Sequence, residues 1–474
     1  MSDVNQIAET QANNAMRDIA RWVLSFNSAA LPARAIEQAK LLVLDSVGCA
    51  LAATDEVAAK ATLQVVASQG GSPQCTVIGT NWQTSILNAV LANGVLTRTL
   101  DLNDFTVNDI GNGSEIGGHP SDNIPVALAV GEARSCRGID ILAAIVIGYE
   151  LFSVLRQSID YPGIWDGTTI SGLVAPAMAG RLMGLNEDQL AHGLALGAAR
   201  APTPAAVRRI HVSSSKSLSN ALIAQSGVLA TLLAEQGTTG PLTILRHKYG
   251  LRQLFPKGIP ALPAGKPLAE DFYIMQSNVK AYPCLGTGLS AVAASLALHE
   301  KLGAASDQIE RIELSMTDSG FIRRQQGEQG DILPDTREAA DHSFKFLVAV
   351  ALTDGVFGKQ QFENTRWKDP AILALMRKIV LKADASWRER APLSFPCSLR
   401  VTLRNGQEHF VEVPYPPGFS HGGIDPDVVT KKFHATATNL TAAQREAVIA
   451  AALSLDHAPS STALMASVAL KPRG

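Results

Sequence analysis

Residues 93–123, NGVLTRTLDLNDFTVNDIGNGSEIGGHPSDN, carry Asp101, Asn103, Asp104, Asn108, Asp109, Glu115, His119 and Asp122 together with four glycines after Gly94. The flanks are different in kind: SILNAVLANGVLTRTL before and IPVALAVGEA after both read as apolar helices. A carboxylate between buried helices needs water or a partner, so a polar, turn-prone run in this place reads as a site of chemistry held by a helical scaffold.

The rest of the composition agrees with helices. Across 474 residues, hydrophobic side chains make up 46%, aromatic ones 5% and charged ones 18%. Apolar content rich in alanine and poor in aromatics favours packed helices over sheets. The length implies about two or three domains, and the low charge content points to subunit association. A net charge of −2 provides no global positive field for nucleic acid or an anionic membrane, so an anionic ligand must be held locally. Cys49, Cys75, Cys136, Cys284 and Cys397 are scattered and form no CxxC pair, which argues against a disulfide framework or a zinc site and fits a reducing cytoplasm. The N-terminus lacks a signal-peptide pattern, and no uninterrupted apolar run reaches roughly 18 residues. A soluble, cytoplasmic protein is the expectation.

Along the chain, helical periodicity runs from about Thr10 through PARAIEQAKLLVLDSVGCALAAT, where the small residues of DSVGCALA suit a close helix contact. QCTVIGT reads as an extended piece. Further helices break at Arg137-Gly138, and Asn186 serves as a cap. RAPTPAAVRRIHVSSSK is a loop whose Arg200, Arg208, Arg209 and His211, near a helix start, can cradle an anion. LFPKGIPALPAGKPLAEDF reads as a domain connection. After it, QIERIELSMT, KIVLKADAS and CSLRVTLRNGQEHFVEVPY supply strands, the last two joined across Asn405-Gly406. The tail returns to helix. The expected division is a helical domain over 1–265, an α+β module over 266–418, and C-terminal helices over 419–474 that pack back on the first domain.

Asp101, His119, Lys216, Lys280 and His342 form a kit for proton chemistry beside a carboxylate: imidazole as acid or base, aspartate to orient it, lysines for developing negative charge. Six segments carry a resemblance to the MmgE/PrpD family: LDSVGCALA (44–52), NGVLTRTLDLNDF (93–105), GHPSDNIPVALA (118–129), KSLSNALIAQSGVLATLLA (216–234), VKAYPCLGTG (279–288) and ADHSFKFLVAVALTDG (340–355). The resemblance implies a mainly α protein with a large all-helical domain and a smaller α+β lid, a homodimer, and no metal or organic cofactor. It places the active-site aspartate at Asp101, the histidine at His119 and the two lysines at Lys216 and Lys280.

The sequence also departs from the family pattern. Arg98 stands where many relatives have a histidine, Asp166 in GIWDGTT replaces a second histidine, Ser219 follows the first lysine in place of a histidine, and Phe346 replaces a tyrosine. The resulting expectation is a lyase that eliminates water from a 2-methylcitrate-like hydroxy polycarboxylate. His119 serves as acid/base, Asp101 orients it, Lys216 and Lys280 stabilise the anion, and Asp166 is the second acid/base candidate. Arg209, Asp104 and His342 are assigned to substrate binding. The alternatives are an isomerase or epimerase, a decarboxylase, or a non-catalytic ligand-binding relative. Substrate preference is expected to reside in the glycine-rich insert between Phe105 and His119.

Overall fold

The computed structural model describes residues 15–109, 115–159, 163–209, 211–256, 258–268, 270–327, 332–391, 393–420 and 422–470. The first part is helical: α1 (15–24), α2 (Ala33–Ala52), α3 (Val57–Gln69), α4 (Ile86–Thr99), α5 (Ile124–Ala133), α6 (Gly138–Ser158), α7 (Ser171–Leu182), α8 (Glu187–Arg200) and α9 (Ser215–Glu235). Local chemistry sets their ends. Ser85 caps α4 by accepting from the Asn88 N–H, and Asn186 forms a capping box with Gln189 at α8. Among these helices lie two short pairs, β1 (Cys75–Thr76) with β2 (Gln83–Thr84) and β3 (Phe105–Asp109) with β4 (Glu115–Gly118).

The described parts of the 93–123 stretch hold more regular structure than their polarity suggests. Phe105, Thr106 and Val107 are buried, and β3 pairs antiparallel with β4 on one edge and β5 (Ser277–Asn278) on the other. The hairpin thus ties the first part of the chain to the segment entering the second. The middle of the glycine-rich insert, 110–114, lies outside the described residues.

The second part has a four-stranded sheet in the order β7-β6-β8-β9, built from β6 (Ile309–Thr317), β7 (Ile379–Asp384), β8 (Cys397–Leu403) and β9 (Glu408–Val413). Strands β6 and β7 are parallel and the other pairs antiparallel. Its helices are α10 (Leu289–Leu302), α11 (Gly320–Gln326), α12 (Arg337–Ala340), α13 (Phe344–Asp354), α14 (Pro370–Met376) and α15 (Trp387–Arg390). The β8–β9 connection places Asn405-Gly406 in the turn as the sequence predicts. Only Gly406 takes a left-handed φ, 83°, so the turn is a three-residue loop with a glycine bulge rather than the two-residue form.

Two apolar cores result. One gathers α1 to α9, the connection up to Val279, and the C-terminal helices α16 (Pro426–Thr436), α17 (Ala442–Leu453) and α18 (Thr462–Ser467). The other is built from 284–403 plus Phe105 and Val107. The fold is therefore predominantly α-helical with a smaller α/β region. By length and composition α6 and α9 could cross a membrane, but 89% and 61% of their most apolar windows are buried inside the protein. The pattern of α6, polar only at intervals, is that of a core helix surrounded by other helices.

Candidate active site

The end of α4 delivers the site. Arg98 lies in its last turn, and the chain then reverses through Asp101, whose φ of 51° is left-handed. That conformation is uncommon for a non-glycine residue and costs on the order of 1–3 kcal/mol unless its surroundings hold it. Here they do. Lys280 donates to the Asp101 carbonyl at 2.8 Å and to its Oδ1 at 2.6 Å, Lys216 lies 3.1 Å from Oδ2, and the Arg98 guanidinium pairs with Oδ1. All four side chains are buried. Burial pushes the Asp101 carboxyl up, but Arg98, Lys216 and Lys280 outweigh it and hold the pKa well below the usual range.

A second buried carboxylate completes the cluster. Asp341 accepts from Lys216 at 2.9 Å, from Arg337 at 3.1 Å and from His342 Nδ1. Since Lys216 is on α9 and Asp341 follows α12, the cluster also joins the two parts of the molecule. Arg98 continues the network, donating to Asn103 at 3.2 Å and lying 3.6 Å from Asp122.

His119 faces this cluster from the start of the turn before α5. Its Nδ1 is 2.6 Å from the Asp104 carbonyl. A carbonyl only accepts, so Nδ1 carries the proton and Nε2 of the neutral ring keeps its lone pair. Nε2 lies 4.0 Å from Asp101 Oδ1, with the side chain 21% exposed. Burial, then the positive charges of Arg98 and Lys280, lower its pKa well below the ordinary value. His342 lies on the other side of the same carboxylate, 3.7 Å from Oδ2, its pKa lowered by burial and by Lys216.

Both histidines open into a cleft of about 410 Å³ between the two parts. Arg98, Asp101, Asp122, Arg156, Asp166 and Arg208 line it from the helical side, and Arg324, His342 and Arg388 from the α+β side. Phe105, Phe152, Phe321 and Phe395 supply apolar wall. The glycine at 118 permits close packing of that wall, because a Cβ there would lie 2.6 Å from the Phe152 ring.

The geometry revises several assignments. Lys216 and Lys280 are fully buried behind Asp101 and are absent from the cleft wall; they hold the aspartate instead of meeting an anion. The cations on the wall are arginines. Arg208, not Arg209, reaches the cleft, because the 3₁₀ turn Ala205–Arg208 directs it to Asp166 at 2.9 Å. Asp166 is also unsuited to acid/base work. Its Oδ1 accepts from the Thr168 N–H and hydroxyl, its Oδ2 pairs with Arg208, and these partners outweigh burial to keep it ionised. Asp104 does not line the cleft: its carboxyl turns inward to Tyr149 at 2.9 Å, where burial raises its pKa to about 7, and only its carbonyl serves the site. Asp341, Arg156, Arg324 and Arg388 were not singled out from sequence, and Asp122 was named in the 93–123 stretch without a role. Asp341 had a signal, being adjacent to His342 in ADHS; the arginines come from separate elements and had none.

Asp101, Asp341 and His342 offer possible metal-ligand atoms within 4.8 Å of one another. They do not fit a divalent cation in this arrangement. Arg98, Lys216, Lys280 and Arg337 already pair with the two carboxylates, and a metal would have to displace them against their own charge.

A helical body and an α+β unit meet over a buried cluster of acidic and basic side chains, with arginines on the cleft wall. The chain belongs to the MmgE/PrpD family: residues 17–261 match the MmgE/PrpD N-terminal domain and 282–456 the C-terminal domain. It is similar to the 2-methylcitrate dehydratase of Cupriavidus necator, 26% identical over 88% of this chain and 89% of that protein. It is also similar to the cis-aconitate decarboxylase of Mus musculus, 24% identical over 78% and 76% respectively, and to an alkylcitrate dehydratase of Talaromyces stipitatus, 25% identical over 88% and 89%.

Proposed function

We propose that the protein is a hydro-lyase that removes water from a 2-methylcitrate-like hydroxy polycarboxylate. The observation that carries this reading is the unprotonated Nε2 of His119 facing a cleft walled by Arg98, Arg156, Arg208, Arg324 and Arg388. Arg156, Arg208, Arg324 and Arg388 bind the substrate carboxylates and place a carbon-bound proton, α to one of them, against Nε2. His119 takes that proton. The electron pair left on carbon forms the double bond as the β-hydroxyl leaves, and the imidazolium, stabilised by Asp101, returns its proton to the hydroxyl to give water. Negative charge that develops on the α-carboxylate is met by guanidinium groups already in place. Family membership supports dehydratase chemistry on a polycarboxylate at this coarser level.

A second reading, epimerisation, draws on one feature: His119 and His342 flank the same carboxylate at 4.0 and 3.7 Å. Two imidazoles suit removal of a proton on one face and its return on the other. Incubation with 2-methylcitrate and related hydroxy polycarboxylates in heavy water separates the readings. Dehydration yields an unsaturated acid with ultraviolet absorbance. Epimerisation yields solvent deuterium in the substrate without absorbance, and its appearance alone would overturn the lyase reading.

Asp166 acts in this scheme by orienting Arg208. Asp166→Asn is expected to raise KM about tenfold, the loss of one charge-assisted contact of about 1.4 kcal/mol, with kcat little changed. A large fall in kcat at constant KM would return Asp166 to the chemical step. Exhaustive treatment with EDTA is expected to leave the rate intact, since cations already occupy the carboxylates; loss of activity restored by a divalent metal would contradict that.

We also propose a homodimer. Leu222, Leu229 and Leu233 share one face of α9 and are 50%, 43% and 43% exposed, the mark of an association surface. Light scattering is expected to give twice the 50.1 kDa chain mass, and Leu229→Glu to shift it toward monomer.

A further inference from the structure

The turn that presents Asp101 is held by more than the groups that touch its carboxylate. The next carbonyl, that of Leu102, accepts at 2.7 Å from Lys432 of α16, more than three hundred residues away in sequence. Two consecutive carbonyls, of Asp101 and Leu102, are thus each bonded by a lysine from a distant element, the buried Lys280 for the first and the mostly covered Lys432 for the second. Lys432 is itself fixed. Its Nζ lies 2.6 Å from Asp45 Oδ1 on α2, with side-chain exposures of 10% and 1%.

The helix can bring Lys432 so close because of Gly48. A Cβ at that position would lie 2.8 Å from Thr436 Oγ1 and 3.0 Å from the Phe433 ring. Asp45 and Gly48, one turn apart on α2, therefore provide the charge that receives Lys432 and the space that admits its helix. Phe433 and Val429 anchor α16 in the core on either side. The small-residue run DSVGCALA accordingly serves the site from a distance: it docks the C-terminal helix so that its lysine reaches the turn.

We propose that Lys432 is a positioning residue for the catalytic turn, holding the left-handed reversal at Asp101 through the Leu102 carbonyl, so that the C-terminal helix is a working part of the active site. A partly stabilised turn would let Asp101 and the Asp104 carbonyl that orients His119 drift, and a displacement near 1 Å in such a site costs on the order of 10²-fold in rate. Arg156, Arg208, Arg324 and Arg388 line the cleft from other elements and are untouched, so the effect falls mainly on kcat.

The kinetic arm rests on the hydro-lyase reading; the exchange arm does not. In the full-length protein, Lys432→Met is expected to lower kcat about 10 to 10²-fold with KM within about twofold. Amides of 100–106 are expected to exchange with deuterium faster than in the wild type. Lys431→Met, on the exposed side of the same helix, is the control and is expected to leave both unchanged. Should Lys432→Met fail to fold, Lys432→Gln keeps a donor but loses the charge that Asp45 receives, and its effect is expected in the same direction. Wild-type exchange over 100–106 in a folded Lys432 variant overturns the proposal, whatever the activity. A protein with no turnover on any polycarboxylate, but with faster exchange in the variant, would overturn the hydro-lyase reading and leave the positioning role standing.

Discussion

His119→Asn is expected to reduce turnover by roughly 10² to 10⁴-fold, the range that a positioned general acid–base contributes, while leaving the fold in place. Asparagine is the informative replacement. Its side-chain amide can donate to the Asp104 carbonyl as Nδ1 now does at 2.6 Å, so no buried acceptor is orphaned and the cost in stability stays on the order of 1 kcal/mol. What it lacks is a basic nitrogen. If the imidazole is the base, exchange of the substrate α-proton with heavy water disappears together with dehydration. Retained exchange with loss of dehydration would instead confine His119 to delivery of the proton to the hydroxyl.

The pH profile gives an independent check. Because burial, Arg98 and Lys280 lower the His119 pKa well below the ordinary value of about 6.5, its basic form persists in the free enzyme as pH falls through that value. The acid limb of kcat/KM should therefore lie below pH 6.5. An acid limb at or above it, present in the wild type and absent in Lys280→Met, would show that the positive charges do not act on this ring as their positions require.

The same charges explain why part of the site is legible in sequence and part is not. Asp101, His119, Lys216, Lys280 and His342 each lie in a short segment whose local pattern, a polar group next to an apolar helix, marks it without knowledge of the fold. The structure brings all five within one cluster. Their orientation is another matter. A lysine before a helix looks the same whether it faces a ligand or a buried aspartate, and Lys216 and Lys280 face the aspartates because α9 and the 279–288 loop converge behind Asp101. Arg208 and Arg209 differ by one residue, and a single 3₁₀ turn decides which enters the cleft. Arg156, Arg324 and Arg388 stand at the end of a helix, in a short helix after β6 and in another after β7; only the closure of the two parts makes them neighbours. The helical scaffold was readable from periodicity and caps, as at Asn186. The β3–β4 hairpin was not, because its two apolar residues, Phe105 and Val107, are embedded in a polar run and gain their burial from the second core.

Asp101→Asn is expected to destabilise the protein by about 3–5 kcal/mol, the usual cost of removing one partner from a buried charge cluster, and to abolish turnover. Asparagine fills the same volume, yet Arg98, Lys216 and Lys280 then face one another with Asp341 and Asp122 left to balance them. Because Lys216 also bonds Asp341 across the junction, the loss should loosen the closure of the two parts and appear as a lower Tm. The sign of its pH dependence follows from the direction of the pKa shift. Asp101 has a folded pKa well below its unfolded value of about 3.9, so its contribution is fully present above about pH 4 and is lost as pH falls toward the folded pKa. The Tm gap between wild type and Asp101→Asn should accordingly be constant near neutrality and narrow below about pH 4. Combining Asp101→Asn with Lys280→Met removes a charge of each sign, and the pair should cost less than the sum of the singles by about 0.5–3 kcal/mol. Additive losses would mean that Lys280 stabilises the turn through the Asp101 carbonyl alone, and that the carboxylate is held by Arg98 and Lys216 without it.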